Sequence, residues 1–394
     1  MPASPVSRVT ATGDLRIVGQ AGSEALVQLL TPEGERVDHP DYVVDAPAER
    51  LQSLYRDMVL ARRVDEEGTA LQRQGQLGLW ASLRGQEAAQ VGSARALMAD
   101  DMAFPTYREH AVVLCRGVDA VQIMAIFRGL THGGWDPHRF GLAPYSIVIG
   151  SQALHAVGYA LGVQRDAARS RGPARPAGQT TGSPVAVAYF GDGAASQGEV
   201  NEAFVWAGVY NAPVVFFCQN NQWAISQPAE RQTRVPLYRR ADGFGFPGVR
   251  VDGNDVLAVL AVTLSALQRA RDGGGPTLIE AFTYRIGAHT TADDATRYRS
   301  LAEVETWKLK DPLERVKAFL HRKQLADPAF FEQLAAESDA LAARLRRKCL
   351  GMADPPALAM FDHVYAGEHP PLRRQRAHLA AYLDSSPDPG EVPR

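Results

Sequence analysis

Three cysteines, Cys115, Cys218 and Cys349, are all that 394 residues hold. An odd and widely spaced set builds neither a disulfide framework nor a zinc site, so the three read as reduced thiols. An excess of one charge is also lacking. The 42 Lys and Arg face 44 Asp and Glu, for a formal net charge of -2, which provides no basic stripe to neutralise a phosphate backbone. Nucleic acid is therefore not an expected partner. No run of about 18 apolar residues occurs, and the N-terminus has no basic segment leading into an apolar one, so neither membrane span nor export signal is expected. These absences predict a soluble, cytoplasmic protein that works on small molecules or with other proteins.

What is present is an ordinary globular composition, 45% hydrophobic and 22% charged, enough to fill a substantial core. Residues 1–46 mix Pro, Gly and charge around one short apolar run, Ala25 to Leu30, and read as an arm ahead of the main domain. Leu51, Leu54, Tyr55, Met58 and Val59 recur at helical spacing and predict a helix over about 48–73, with a second at about 85–98. The stretch from Phe104 to Arg116 and the Gly-rich, aromatic stretch from Thr131 to Tyr145 read as site-forming loops. Residues 170–184 (SRGPARPAGQTTGSP) have no periodicity and read as a flexible excursion.

Beyond that excursion the pattern becomes regular. Apolar runs at 185–190, 214–218, 249–251 and 277–282 alternate with helical segments at about 197–210 and 255–271. Short β-rich runs alternating with helices predict an α/β fold with a doubly wound parallel sheet. The chain after about 303 is helical, most clearly over 330–350, and 366–394 reads as a C-terminal tail.

Chemistry concentrates where these strands end. Gly191-Asp192-Gly193 follows the first run, with Ala194 and Ala195 leading into a helix. In an open parallel sheet, ligands sit beyond the carboxyl ends of the strands, and such a turn exposes N–H groups to an anion at a helix N-terminus. An Asp there repels a phosphate unless a hard cation such as Mg²⁺ lies between them. A lone Gly-Asp-Gly is most often only a turn. The next run, however, ends in Gln219-Asn220-Asn221, and Asn amides are neutral oxygen ligands. Asn pairs usually cap or turn the chain, but a strand–helix–strand unit of this length places both turns side by side. A third strand leads into Arg285 and His289, where an imidazole could bond phosphate or move a proton. Arg285, Asp293, Asp294, Arg297, Tyr298 and Arg299 make this loop either a solvated charged surface or an ordered lid.

Gly-Asp-Gly followed 26 residues later by Asn-Asn resembles the thiamine diphosphate fingerprint of alpha subunits of 2-oxo acid dehydrogenase complexes. The stretches FPTYRE (from Phe104), IGSQ (from Ile149), QNNQWAIS (from Gln219), GVRVDGND (from Gly248), Gly275 to Glu280 and GAHTTADDATRYR (from Gly287) are similar to that family as well. The resemblance spans about residues 50–365, and a dehydrogenase domain over 47–365 follows from it. It implies the transketolase-like thiamine diphosphate-binding fold. It also implies oxidative decarboxylation of a 2-oxo acid with reductive acylation of a lipoyl group.

Carried onto this chain, the resemblance implies that Asp192, Asn221 and the main-chain carbonyl of Trp223 hold Mg²⁺. Tyr107, Arg108 and His289 would contact the diphosphate, His289 also acting catalytically. Gly191, Gly193 and Ala194 would also bind the cofactor, Gly193 and Ala194 by offering N–H groups. Ile149 would lie near the cofactor rings. Ser146, Ser151 and Gln152 match positions that hold a monovalent cation, K⁺, in some relatives. Arg285, Asp293, Tyr298 and Arg299 would form the lid.

Three positions depart from the family. Gln219 stands where some relatives have an Arg that binds diphosphate. Ile147 replaces a Ser of some branched-chain members, and Thr290 replaces a phosphorylated Ser of mitochondrial members.

The carboxylate that activates the cofactor ring resembles a Glu of the beta subunit in this family, and no second α/β domain is legible here to supply it. The implied assembly is an α₂β₂ heterotetramer that serves a lipoyl acyltransferase core. A branched-chain substrate such as 3-methyl-2-oxobutanoate is the leading expectation, with pyruvate as the alternative. A split transketolase-like half and a non-catalytic assembly subunit are two further readings. Against the first stand the His289 loop and the Tyr-Arg-Glu element; against the second stands the presence of both Asp192 and Asn221.

Overall fold

The computed structural model describes residues 9–10, 16–18, 26–131, 133–169 and 183–385. Five strands form its central sheet: β1 (Met102–Phe104), β2 (Ala186–Gly191), β3 (Val214–Asn220), β4 (Gly248–Asp252) and β5 (Thr277–Phe282). They are all parallel, in the order β1-β2-β3-β5-β4. Four of them are the apolar runs of the sequence. Parallel strands are buried on both faces and so read as continuous hydrophobic runs, and almost every residue of β2 and β3 is inaccessible to solvent.

Alternation along the strands divides the interior in two. Val187, Tyr189, Val215, Phe217 and Ile279 face a core built with helices α1 (Ala48–Arg73), α2 (Glu87–Ala94) and α5 (Val256–Arg271). Ala186, Ala188, Phe190, Val214 and Phe216 face a second core under α3 (Ser151–Arg169) and α4 (Gly198–Tyr210). Helices on both faces make the sheet doubly wound, as the sequence predicts. Twelve residues of α5 are buried, which is why that segment is apolar nearly all round. Helices α6 (Pro312–Arg322) and α7 (Pro328–Leu350) pack on the α1 side, each started by an Asp N-cap with Pro in the first turn.

The structure adds elements that the sequence reading does not contain. Strand β1 is only three residues long and just precedes the stretch read as loop, sharing Phe104 with it, and helix α3 has no counterpart in that reading. Its buried face is made of Ala, Val and Gln rather than large aliphatics, so its periodicity is faint. Residues 26–45 of the expected arm contribute to the domain itself: Val27 pairs with Val251 of β4, and Leu29, Leu30, Tyr42 and Val44 are buried in the first core. The tail contains a helix, α8 (Pro370–Ser385), none of whose residues is buried. The excursion over 170–184 falls outside the described residues except for Ser183 and Pro184. No helix among the described residues is long and apolar enough to cross a membrane.

Candidate functional site

The carboxyl ends of β1, β2, β3 and β5 lie next to one another, and the chain leaving them encloses a cleft of about 180 Å³. After β2 the chain turns through Gly191, Asp192 and Gly193 into a short turn, Ala194–Ser196, and then α4. A Cβ on Gly193 would sit 2.7 Å from the Ala224 Cβ, so only glycine lets this turn press against the loop that follows β3. The first bond inside the turn is Ala195 N–H to the Asp192 carbonyl. The N–H groups of Gly193 and Ala194 precede it and belong to the open end of the turn. Asp192 is almost wholly buried, and Gln232 donates to its carboxylate at 2.7 Å. Burial pushes its carboxyl up to about 6 against the Gln232 hydrogen bond.

The two asparagines at the end of β3 separate into different roles. Asn220 donates to the buried carboxylate of Glu280 at 2.7 Å and accepts from Gln222 N–H, which commits it to structure. Asn221 faces the cleft, donates to Gln86 at 3.2 Å and accepts from Trp223 N–H. Beyond it, Gln222 and Ile225 adopt left-handed backbone conformations, φ 69° and 54°, which non-glycine residues hold only when the surroundings compel it. Arg285 supplies the compulsion. Its Nη1 donates to the Trp223 carbonyl at 2.9 Å and its Nη2 to the Ile225 carbonyl at 2.8 Å.

Arg285 reaches that position because pairing continues past the strands, with Thr283 N–H on the Asn220 carbonyl and Arg285 N–H on the Asn221 carbonyl. A second guanidinium, Arg108, enters from the turn after β1. Its Nη1 donates to the Ser82 carbonyl and its Nη2 to the His289 carbonyl. Gly85, at φ 96°, lets the Ser82 turn approach this spot: a Cβ there would lie 2.2 Å from the Tyr284 carbonyl. Among the described residues, neither guanidinium forms an ion pair with a carboxylate. Burial, with Arg108 adding to it, lowers Arg285 to about 10.

His289 Nδ1 lies 3.2 Å from Arg108 Nη2 and 3.4 Å from Arg285 Nη1. Burial and these two cations push the imidazole down to about 3, so it is neutral at physiological pH. Between two obligate donors Nδ1 must accept, which puts the ring proton on Nε2. His289 is thus a neutral N–H donor. The ring of Tyr107 meets it edge-on at 6.2 Å. Two cations and an N–H, gathered with no carboxylate in ion-pair contact among the described residues, constitute a site for an anion.

Of the other expected residues, Ser146 and Ile149 line the cleft, and Ile149 lies on its rim. Ser151 and Gln152 begin α3 behind that rim. Ser151 donates to the Val148 carbonyl at 2.9 Å, and Gln152 Nε2 donates to the Tyr189 carbonyl at 2.8 Å. In the loop after β5, Arg299 donates to the carbonyls of Arg285, Ile286 and Gly287, while Asp293 accepts from His289 N–H and from Tyr298. Arg285 itself is buried beneath this loop rather than exposed upon it. Two buried polar residues of the cleft have no role in the sequence reading: Glu109, a carboxylate, and Gln86, the partner of Asn221. Glu109 sits in the quoted FPTYRE stretch, so its position was legible although its role was not. Nothing local marks Gln86.

The profile of the dehydrogenase E1 component family matches residues 55–343. The chain is 46% identical to the 3-methyl-2-oxobutanoate dehydrogenase subunit alpha of Mycobacterium tuberculosis (strain H37Rv), over 91% of this chain and 94% of that protein. It is 39% identical to the pyruvate dehydrogenase E1 component subunit alpha of Bacillus subtilis (strain 168), covering 76% of this chain and 77% of the relative. The corresponding Staphylococcus epidermidis subunit (strain ATCC 12228) is also 39% identical, over 76% and 78%. With its parallel sheet, its strand-end cleft and these likenesses, the chain belongs to the dehydrogenase E1 component family, whose members depend on thiamine diphosphate, and is a homologue of branched-chain 2-oxo acid dehydrogenase alpha subunits.

Proposed function

We propose that this chain is the alpha subunit of a branched-chain 2-oxo acid dehydrogenase. It acts with a beta subunit in an α₂β₂ assembly, in the cytoplasm, on 3-methyl-2-oxobutanoate, and delivers the acyl unit to the lipoyl group of an acyltransferase core. The observation that carries this reading is the cleft's polarity: Arg108, Arg285 and the His289 Nε2–H, none ion-paired to a carboxylate, beside a hard oxygen set. Asp192, Asn221 and the Trp223 carbonyl supply one carboxylate, one amide and one main-chain oxygen, the donor chemistry that Mg²⁺ takes. Arg108, Tyr107, His289 and the N–H groups of Gly193 and Ala194 would hold the diphosphate, with Gly191 opening the turn and Ile149 against the rings. Thiamine diphosphate, when bound, supplies the electron sink for decarboxylation, and the chain supplies position and electrostatics.

Ser146, Ser151 and Gln152 are the proposed K⁺ ligands, and the buried Gln152 Oε1, which has no donor, supports this. Ile147, Val148 and Ile149 are exposed at the mouth, an apolar lip suited to a branched aliphatic acyl group. Pyruvate is the second reading, favoured by the pyruvate dehydrogenase relatives.

The test pairs the chain with its beta subunit and compares kcat/KM for the two substrates. We expect a preference of roughly 10-fold or more for 3-methyl-2-oxobutanoate, the scale on which apolar pockets discriminate methyl groups. A preference for pyruvate overturns the substrate assignment. Decarboxylation by the alpha chain alone overturns the shared site.

A further inference from the structure

Gln219 and Glu109 form a buried pair on the cleft wall that the proposed function leaves unused. The Gln219 Nε2 lies 2.6 Å from Glu109 Oε1, while the Gln219 Oε1, wholly buried, has no donor. Glu109 Oε2 accepts from Thr106 N–H. A diphosphate bound in the cleft would oppose this arrangement. A carboxylate and an orphan amide oxygen on the same wall both oppose a diphosphate held by the neighbouring Arg108. Turning the amide over removes both objections at once, provided that Glu109 carries a proton. The acid then donates to Gln219 Oε1, for which 2.6 Å is an ordinary O–H···O separation, and the amide nitrogen takes the position that the orphan oxygen holds in a residue lining the cleft.

We propose that binding of the diphosphate is coupled to uptake of one proton from solvent by Glu109, with Gln219 rotating its amide to become a donor to the bound anion. This rests on the reading of the cleft as a diphosphate site. The charged and titratable groups around Glu109 favour the coupling. Arg108 is the cation that acts on it, and that charge is engaged once a diphosphate is bound. The phenols of Tyr145 and Tyr189 are pushed far upward by burial and stay neutral, and His110 is held neutral by being pushed down to about 3. Burial already raises the Glu109 carboxyl, which places it within reach of such a switch.

The experiment is calorimetric titration of the assembled αβ enzyme with thiamine diphosphate and Mg²⁺, in buffers of different ionisation enthalpy, between about pH 7.5 and 8.5, above the range in which a terminal phosphate titrates. The expected result is net uptake approaching one proton per site, with affinity weakening up to about tenfold per pH unit. Glu109→Gln imitates the neutral acid, so both the uptake and the pH dependence should disappear while binding persists. Difference infrared spectra of the wild-type enzyme provide the reading that no variant can confound: a carboxylic acid band should appear on cofactor addition. Equal proton uptake in wild type and Glu109→Gln overturns the proposal. So does an acid band that is absent, or already present, before and after binding. Absence of any binding heat in the wild type instead overturns the diphosphate reading itself.

Discussion

Two buried charged regions lie at the carboxyl ends of this sheet, and they are built in opposite ways. At the end of edge strand β4, Asp255 caps α5 and accepts four main-chain N–H groups, from Leu29, Leu30, Leu257 and Ala258. Its neighbour Asp252 meets Arg315 at 2.8 Å, Gln28 at 2.8 Å and Asn254 N–H at 3.0 Å. Each anion there is matched. At the ends of β2 and β5 the cleft reverses this: Arg108 and Arg285 converge on one imidazole without a carboxylate, and Asp192 is held by Gln232 alone among side chains. Burial is similar in both places. What differs is saturation of charge: the carboxylates of the β4 end have their partners, although Arg315 keeps two buried nitrogens without one, and a buried charge without a counter-charge costs stability unless a ligand completes it. The β4 end is architecture, and the cleft is a receptor.

The largest expected effect separates the two aspartates. Asp255→Ala orphans four N–H groups and the α5 cap, and should destabilise the chain by on the order of 3 kcal/mol, seen as a lower denaturant midpoint of the assembled enzyme. Asp192→Ala should leave the cofactor-free midpoint unchanged or raised, because it deletes a carboxylate whose burial is poorly compensated. It should weaken thiamine diphosphate and Mg²⁺ binding by about 100-fold or more, at least what loss of an outer-shell group costs a metal site. Equal destabilisation by the two variants would break the distinction.

The arginines sharpen it at a smaller scale. Arg108→Gln keeps a hydrogen-bonding side chain but removes one charge from the cleft. Hydrogen bonds to charged groups are worth about 1.5–3 kcal/mol, so cofactor affinity should fall roughly 10- to 100-fold with little change in stability. His289, which burial and then Arg108 hold down, should titrate higher in this variant, measurable as a shifted imidazole resonance. Arg315→Gln should do the reverse: it abandons Asp252, costs about 3–5 kcal/mol in stability and leaves cofactor affinity intact. If Arg108→Gln stabilises nothing and weakens nothing, the unsaturated-cluster argument fails.

This contrast also marks how far the sequence could be read. Strands β2, β3, β4 and β5 were legible because two-sided burial writes them as unbroken apolar runs, and α1 and α5 because their buried faces are large or extensive. Strand β1 was not, since three residues beside a Pro carry no period. Asp192 and Asn221 were reachable from strand–turn–helix spacing and from the family resemblance, but Asn220 and Asn221 are indistinguishable in one dimension. Only the Glu280 carboxylate beneath Asn220, 60 residues away in sequence, separates them. The same holds for Glu109 and Gln219, 110 residues apart. Saturation is a property of distant partners, so it is the part of the site that a sequence states least well.

The smallest effect concerns the loop over 285–300, which lies between the two extremes. It is internally bonded: Asp293 accepts from His289 N–H at 2.8 Å and from Tyr298, and Arg299 gathers three carbonyls. Its convergence on His289 nevertheless faces the unsaturated cluster. Main-chain bonds tie it to the rest of the chain at Ile286 N–H on the Arg84 carbonyl and Thr291 N–H on the Trp80 carbonyl, and bonds made by its half-exposed side chains add only about 0–1 kcal/mol each against the conformational entropy of the remaining residues. A diphosphate accepting from the His289 Nε2–H would add a charge-assisted bond at the centre of the loop and shift its order. Limited trypsin proteolysis at Arg297 and Arg299 should therefore slow when thiamine diphosphate and Mg²⁺ are added, and that protection should disappear in His289→Ala. Asp293→Asn keeps the residue's shape but weakens its two bonds, so it should raise the cofactor-free cleavage rate only a few-fold and reduce cofactor affinity by less than about fivefold. Cleavage that is equally fast with and without cofactor would make this loop a fixed wall of the cleft, saturated in the manner of the β4 end.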